Sequence, residues 1–396
     1  MRVYLDHNAT TPLRAEARDA WLAAVDRGLG NPSSLHRRGR LARQCIDDAR
    51  ERIAAALGVH EEEIVFTSGG TEAIHLAVAG HLATRERGAA LASPGTEHAA
   101  VRECAAKMEE RGHPHRVLRV DGEGELDPAQ LRDLASAPEL ALVALSAGNH
   151  EAGTVHDLGL ARQAIGSGPS RPILFADGVQ ALGRVPLDIR GWGIDLAAFS
   201  AHKVGGPLGL GVLFARRGIA LAPLRHGGAQ ERGLRPGTED APSIAAAAVA
   251  IELAVVEQAA YRERVGALAR DLWDALRVRI PGIHLAGPPL ERERRLPNTL
   301  CVLLPELGGP PADGKMVVMR CDLDGLEVSA GSACASGSLE PSPVLLALGH
   351  SESRARSALR LSLGRGTRGE ECQRAADILV SVLVPSHATR DGADPL

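Results

Sequence analysis

Between residues 64 and 215 the chain repeats one pattern: a short apolar run, a turn rich in small or polar residues, then a stretch with apolar residues at helical spacing. Ile64–Thr67, Ala89–Ser93, 116–120, Leu140–Ser146, Pro172–Asp177, Asp195–Ser200 and Gly211–Ala215 read as strands, and 72–84, 97–111, 127–136 and 157–166 as helices. Strands separated by single helices pair in parallel, and fully apolar runs are covered on both faces. The alternation therefore constrains this region to an α/β fold, a mostly parallel, seven-stranded type of sheet flanked by helices. Ligands of such sheets lie beyond the carboxyl ends of the strands. Ser68-Gly-Gly-Thr71, Ser93 to His98, Ala147-Gly-Asn149, Asp177 to Gln180 and Ser200 to Lys203 all fall there.

The flanks complete the organisation. Residues 1–14 read as an extended loop, a lead-in packing near a small domain, and 13–27 and 35–57 as helices; 15–264 form the large domain. One long helix over about 241–280 bridges into a smaller α+β domain, 265–384. That domain holds strands Thr299–Leu304, Leu326–Ser329 and Leu359–Leu363, helices 315–323, 343–348, 352–357 and 368–384, and a Gly/Pro-rich insertion at 305–314. Residues 385–396 read as a disordered tail.

Composition narrows the partners. Forty-five Lys and Arg stand against 49 Asp and Glu, a formal charge of −4, so neither nucleic acid nor a membrane surface is expected to bind. No signal segment or membrane span is read, and the expected location is cytoplasmic. Six scattered cysteines without a CxxC pair indicate neither a disulfide framework nor a zinc site.

Lys203 ends a buried strand and is followed by glycines and a proline, a strand-end turn with open surroundings. A neutral amine held there is what Schiff-base chemistry needs; the alternative is a surface lysine. A carbonyl cofactor with an electron-withdrawing pyridine ring needs a carboxylate at its ring nitrogen, and Asp177 ends an apolar strand; a capping role is the alternative. Gln180 could donate to the ring oxygen. His98 could stack on the ring or shuttle protons. Strand, Ser68-Gly-Gly-Thr71 turn and helix start make an anion site, with Thr71, Ser200 and His202 as further donors. The loop Ala330 to Pro341 is built of small residues around Cys334, whereas Cys301 is expected in a shielding core.

These segments resemble the cysteine desulfurases, pyridoxal-phosphate enzymes of the class V aminotransferase group. The likeness rests on Tyr4 to Pro12, Gly30-Asn-Pro-Ser-Ser34, Phe66 to Glu72, Thr96-Glu-His98, Phe199-Ser-Ala-His-Lys203, Arg235-Pro-Gly-Thr-Glu239, Ser329 to Cys334 and Leu359 to Arg365. It implies a type I pyridoxal-phosphate transferase fold and pyridoxal 5'-phosphate as cofactor. Lys203 is then the Schiff-base lysine, His98 the ring-stacking histidine, and Asp177 and Gln180 contacts of the pyridine ring. Gly70, Thr71, Ser200 and His202 become phosphate contacts, with Thr238 reaching across from a second subunit of a homodimer. Arg360 holds the substrate carboxylate and Asn149 stands beside cofactor and substrate. His150 occupies the position of a second asparagine usual in the family, which leaves open whether Asn149 or His150 meets the ring.

The activity implied is removal of sulfur from L-cysteine, giving alanine and a persulfide on Cys334 that passes to an acceptor protein. Iron–sulfur clusters, tRNA thiolation, DNA modification and a specialised metabolite are all open as destinations. The alternatives are a selenocysteine lyase, another class V reaction in which Cys334 is dispensable, and a non-catalytic scaffold. Gly205 and Leu208 also depart from the resemblance, which has an aromatic residue and a lysine in this turn.

Overall fold

The computed structural model describes residues 2–166, 168, 171–306, 310–331 and 340–384. The elements follow in chain order as β1 (Val3–Tyr4), α1 (Ala15–Asp26), α2 (Arg37–Leu57), β2 (Ile64–Thr67), α3 (Gly70–Leu82), β3 (Ala90–Pro94), α4 (Ala99–Glu110), β4 (His115–Leu118), α5 (Pro128–Ala135), β5 (Leu140–Ser146), α6 (Leu158–Ala164), β6 (Ile173–Asp177), β7 (Leu196–Ser200) and β8 (Gly211–Ala215). Then come α7 (Ala241–Val256), α8 (Gln258–Arg279), β9 (His284–Ala286), β10 (Thr299–Leu303), α9 (Gly314–Leu323), β11 (Leu326–Glu327), α10 (Pro343–Ala347), α11 (Glu352–Arg356), β12 (Ala358–Ser362) and α12 (Gly369–Leu383).

The large sheet has seven strands in the order β2-β8-β7-β6-β5-β3-β4, and only β8 runs antiparallel to its neighbours. Every residue of β2, β6 and β7 is buried, as apolar runs covered on both faces require. Helices α1, α2, α5, α6 and α7 build the core on one face and α3 and α4 on the other. A second core joins α8, α9 and α12 to an antiparallel sheet of order β12-β10-β9, and β1 pairs in parallel with β11 beside it.

Two expectations are corrected. The lead-in is not simply a loop, because Val3 and Tyr4 form β1 against Leu326 and Glu327 and Leu5 donates its N–H to Glu327 at 2.9 Å. Two residues show no periodicity, so sequence alone could not find that strand. The long helix over 241–280 is two helices meeting at 70° around Glu257. No Pro or Gly marks the break; α7 is held by the alanine-rich core of the large domain and α8 by the small-domain core. Arg14 donates to the Glu257 carboxylate at 2.9 Å, and its Nε donates to the carbonyl of Val204 at 3.0 Å, tying the bend to the turn after Lys203.

Asp195, which opens the strand leading to Lys203, is buried among arginines: Arg171 donates to it at 2.6 and 2.8 Å, Arg162 at 2.7 Å and the Leu174 N–H at 2.9 Å. Burial pushes its carboxyl up, but the bonds from Arg171, Leu174 and Arg162 hold it below the ordinary range. A depressed folded-state pKa adds stability above the unfolded value of about 3.9 that is lost as pH falls below it. Asp195→Asn is therefore expected to lower unfolding free energy at pH 7 by about 3 kcal/mol, since it leaves buried cations unpaired. Urea melts at pH 7 and pH 3 should show the difference between variant and wild type shrinking in acid.

Candidate active site

Lys203 follows β7 in a tight turn whose geometry explains the Gly205 departure. Gly205 has φ +84°, and a Cβ there would meet Arg14 Cγ at 2.5 Å, so the arginine occupies the space an aromatic side chain would need. Leu208, by contrast, is 73% exposed and touches no part of the site. The Lys203 ammonium lies between the large domain and the lead-in, donating to the carbonyl of Ala9 at 2.7 Å and to that of Asn8.

Around it is a cavity of about 280 Å³. Strand ends β6 and β7 bring Asp177, Gln180, Ser200, His202 and Lys203 to its wall. The start of α3 adds Gly70 and Thr71, and the loops before α4 and after β5 add His98 and His150. From the small domain, Arg360 enters from the middle of β12, where it pairs with Cys301 of β10. The expected Gly70, Thr71, His98, His150, Asp177, Gln180, Ser200, His202, Lys203 and Arg360 thus share one cavity.

Asn149 does not join them. Its amide donates to the carbonyl of Thr96 at 2.8 Å, and its oxygen accepts the N–H groups of Glu151 and Ala152 at 2.9 and 2.8 Å. The side chain is spent on folding its own loop, and His150 is the one of the pair that reaches the cavity. Thr238 is exposed and away from this chain's cavity, and Cys334 lies outside the described residues.

Several lining groups were not legible in advance. The lead-in supplies Asn8 and Ala9. Arg184, buried, donates to Gln180 Oε1 and, at 2.8 Å, to Asn8 Oδ1, so the glutamine amide is turned to donate to the Asn8 carbonyl at 2.9 Å. Ser146 ends β5, and its N–H donates to buried Glu97 at 2.7 Å. The polar run Asp6-His7-Asn8 was the available signal for the first pair; nothing in the sequence marked the others.

Electrostatics assign protonation states. Burial, then the neighbouring His150 and Lys203, push His98 down to about 3, so its imidazole is neutral. His202 is pushed down to about 4 by burial and Lys203, and one ring nitrogen lies 3.0 Å from Thr10 Oγ1. Burial raises the Asp177 carboxyl, against the Val179 N–H bond at 3.0 Å. A cation placed against Asp177 would offset that burial. Glu97 is raised to about 8 by burial and by Asp177. Cys301 is pushed up to about 12 by burial, as its core position required.

The donor set fits pyridoxal phosphate. Gly70 leaves a cradle at the start of α3, since a Cβ there would stand 3.0 Å from Val179 Cγ2 and 3.4 Å from Ser200 Cβ. Unpaired N–H groups of a helix start, with Thr71, Ser200 and His202 beside them, suit its phosphate. A buried carboxylate suits its ring nitrogen and an amine its aldehyde. Arg360 is 1% exposed; it donates to Asp6 at 2.8 Å and to the carbonyl of His150 at 3.2 Å, while its buried Nε has no hydrogen-bond partner among the described residues. A spare buried donor on a planar fork is suited to a carboxylate.

The family model for class V aminotransferases matches residues 3–374. The chain is 40% identical over 387 residues to a cysteine desulfurase of Cereibacter sphaeroides, covering 96% of each, and 37% identical over 383 residues to the cysteine desulfurase IscS of Dictyoglomus turgidum, covering 96% of this chain and 94% of that one. A solved structure described as a NifS-like protein superposes with a TM-score of 0.88 at 32% identity, over 97% of this chain and 99% of the other.

Proposed function

The chain belongs to the class V aminotransferase family and, within it, to the pyridoxal-phosphate-dependent cysteine desulfurases; from that premise we propose how its residues divide the reaction. The observation that carries the reading is the convergence on one cavity of an amine and a buried carboxylate from two strand ends, an anion cradle from a helix start and a buried arginine from the middle of β12.

Gly70, Thr71, Ser200 and His202 hold the cofactor phosphate, with Thr238 of a second copy completing the cradle in a homodimer. Asp177 would keep a proton on the cofactor's ring nitrogen, and His98, a neutral imidazole, and Gln180, oriented by Arg184, would hold the ring. When bound, pyridoxal phosphate supplies an aldehyde for Lys203 and a ring that accepts negative charge from the substrate Cα. Arg360 binds the carboxylate of L-cysteine. Lys203, released as a free amine, takes the Cα proton. Cys334, as thiolate, attacks the substrate sulfur; its new S–S bond forms as the Cβ–S bond breaks, and the persulfide then goes to an acceptor protein. The IscS names of relatives favour iron–sulfur cluster assembly as the destination.

The test is to supply L-cysteine with a thiol reductant to the pure protein and to quantify alanine and sulfide. Equal amounts of both, over many turnovers, are expected. Pyruvate and ammonia in place of alanine would overturn the reading.

A further inference from the structure

Of the three imidazoles that line the cavity, His98 and His150 have ring centroids 5.0 Å apart at 78°, and they are wired in opposite senses. His98 caps α4, its Nδ1 accepting the Ala100 N–H at 3.1 Å. The proton of the neutral ring is therefore on Nε2, and this imidazole can donate there but has no lone pair to offer.

His150 has its Nε2 3.4 Å from Oε1 of Glu151, an ion-pair distance, and that buried oxygen has no hydrogen-bond partner among the described residues. Glu151 is fully buried, and its other oxygen accepts the Ser342 hydroxyl at 2.6 Å. Burial would raise this carboxyl, yet His150 and Ser342 hold it below the ordinary range, so it is charged. A carboxylate oxygen in need of a donor and facing Nε2 favours the ring proton on that nitrogen, which leaves the lone pair on Nδ1. The backbone of His150 is pinned as well: its carbonyl accepts from Arg360 and from the Asn8 amide, each at 3.2 Å. The charged and titratable groups around it are His98 at the start of α4, Asp177 on β6, Lys203 after β7, Arg360 on β12 and Glu151 in its own loop.

We propose that His150, oriented by Glu151, is the proton acceptor for the α-ammonium of incoming L-cysteine. The N–H bond breaks, its electron pair stays on the substrate amine, and the proton bonds to Nδ1. Glu151 balances the imidazolium, and the proton returns to water as product leaves. This rests on the desulfurase reading and on Arg360 as carboxylate anchor. Arg360 is bonded to the His150 carbonyl itself, which brings the amine of an anchored α-amino acid into the same corner.

The test combines ring NMR of the ¹⁵N-histidine-labelled holoenzyme with kinetics. Expected is a His150 ring protonated on Nε2 only in the resting enzyme, its signals absent in His150→Asn. His98 should keep its Nε2 proton throughout. Glu151→Gln, which removes the positioning charge, should let the His150 ring proton redistribute from Nε2 toward Nδ1. His150→Asn, the residue usual at this position, should retain cofactor absorbance and lose about 100-fold in kcat/KM. A wild-type His150 protonated on Nδ1, an unchanged ring-proton position in Glu151→Gln, or an undiminished kcat/KM in His150→Asn overturns the proposal. Alanine production by the wild-type enzyme is unaffected by that outcome, so failure here is distinct from failure of the desulfurase reading.

Discussion

Lys203→Ala is expected to fold and to make no alanine from L-cysteine. In the proposed reaction the amine is both the covalent anchor and the base at Cα, and proton transfer by a positioned side chain alone accounts for about 10²–10⁴-fold in rate. Its structural contribution is small by comparison. The bonds lost include those to the Asn8 and Ala9 carbonyls, each worth about 0.5–1.5 kcal/mol net, and the Asn8 carbonyl still accepts from Gln180. Removing a cation near Asp177 and His98 also changes little of the packing, because the turn is held by backbone bonds from Val204 and Gly206 to Ala201. Turnover and a thermal melt measured on the same sample separate the two effects: activity should vanish while the melt shifts by only a few degrees. Residual turnover of more than a per cent would mean that another group serves as base.

Cys334→Ser should bind cofactor and L-cysteine as the wild type does and form no persulfide. An ordinary thiol, with pKa about 8.5, is a few per cent thiolate at neutral pH, whereas a serine hydroxyl is not ionised at all and is the weaker nucleophile toward sulfur. No other cysteine can stand in. The remaining five are buried, and burial pushes Cys104, Cys321 and Cys372 up to about 11 and Cys301 to about 12. Intact-protein mass after L-cysteine should show one added sulfur on the wild type and none on the variant. An added sulfur on Cys334→Ser would place the acceptor elsewhere.

The strand ends that build the site were legible because apolar runs such as Leu140–Ser146 and Ile173–Asp177 are covered on both faces, and such runs end where their first polar residue must meet a ligand or water. Ten of the site positions followed from that rule together with the resemblance. Asn149 did not, because a loop asparagine can serve a ligand or its own backbone equally well; only the Thr96, Glu151 and Ala152 partners decide for the backbone. Arg184 and the Asn8 carbonyl escaped notice since they act on Gln180 and Lys203 through space, from residues far apart in the chain. The bend at Glu257 was hidden for a related reason: it reconciles two cores, and no local residue breaks the helix.

The whole account depends on Lys203 being the residue that carries the cofactor in this cavity. Borohydride reduction of the yellow protein, proteolysis and peptide mapping address that directly. A pyridoxyl group recovered on Lys203 alone is the expected result; recovery of the label on another lysine, or a protein whose absorbance and peptides borohydride leaves unchanged, would contradict it.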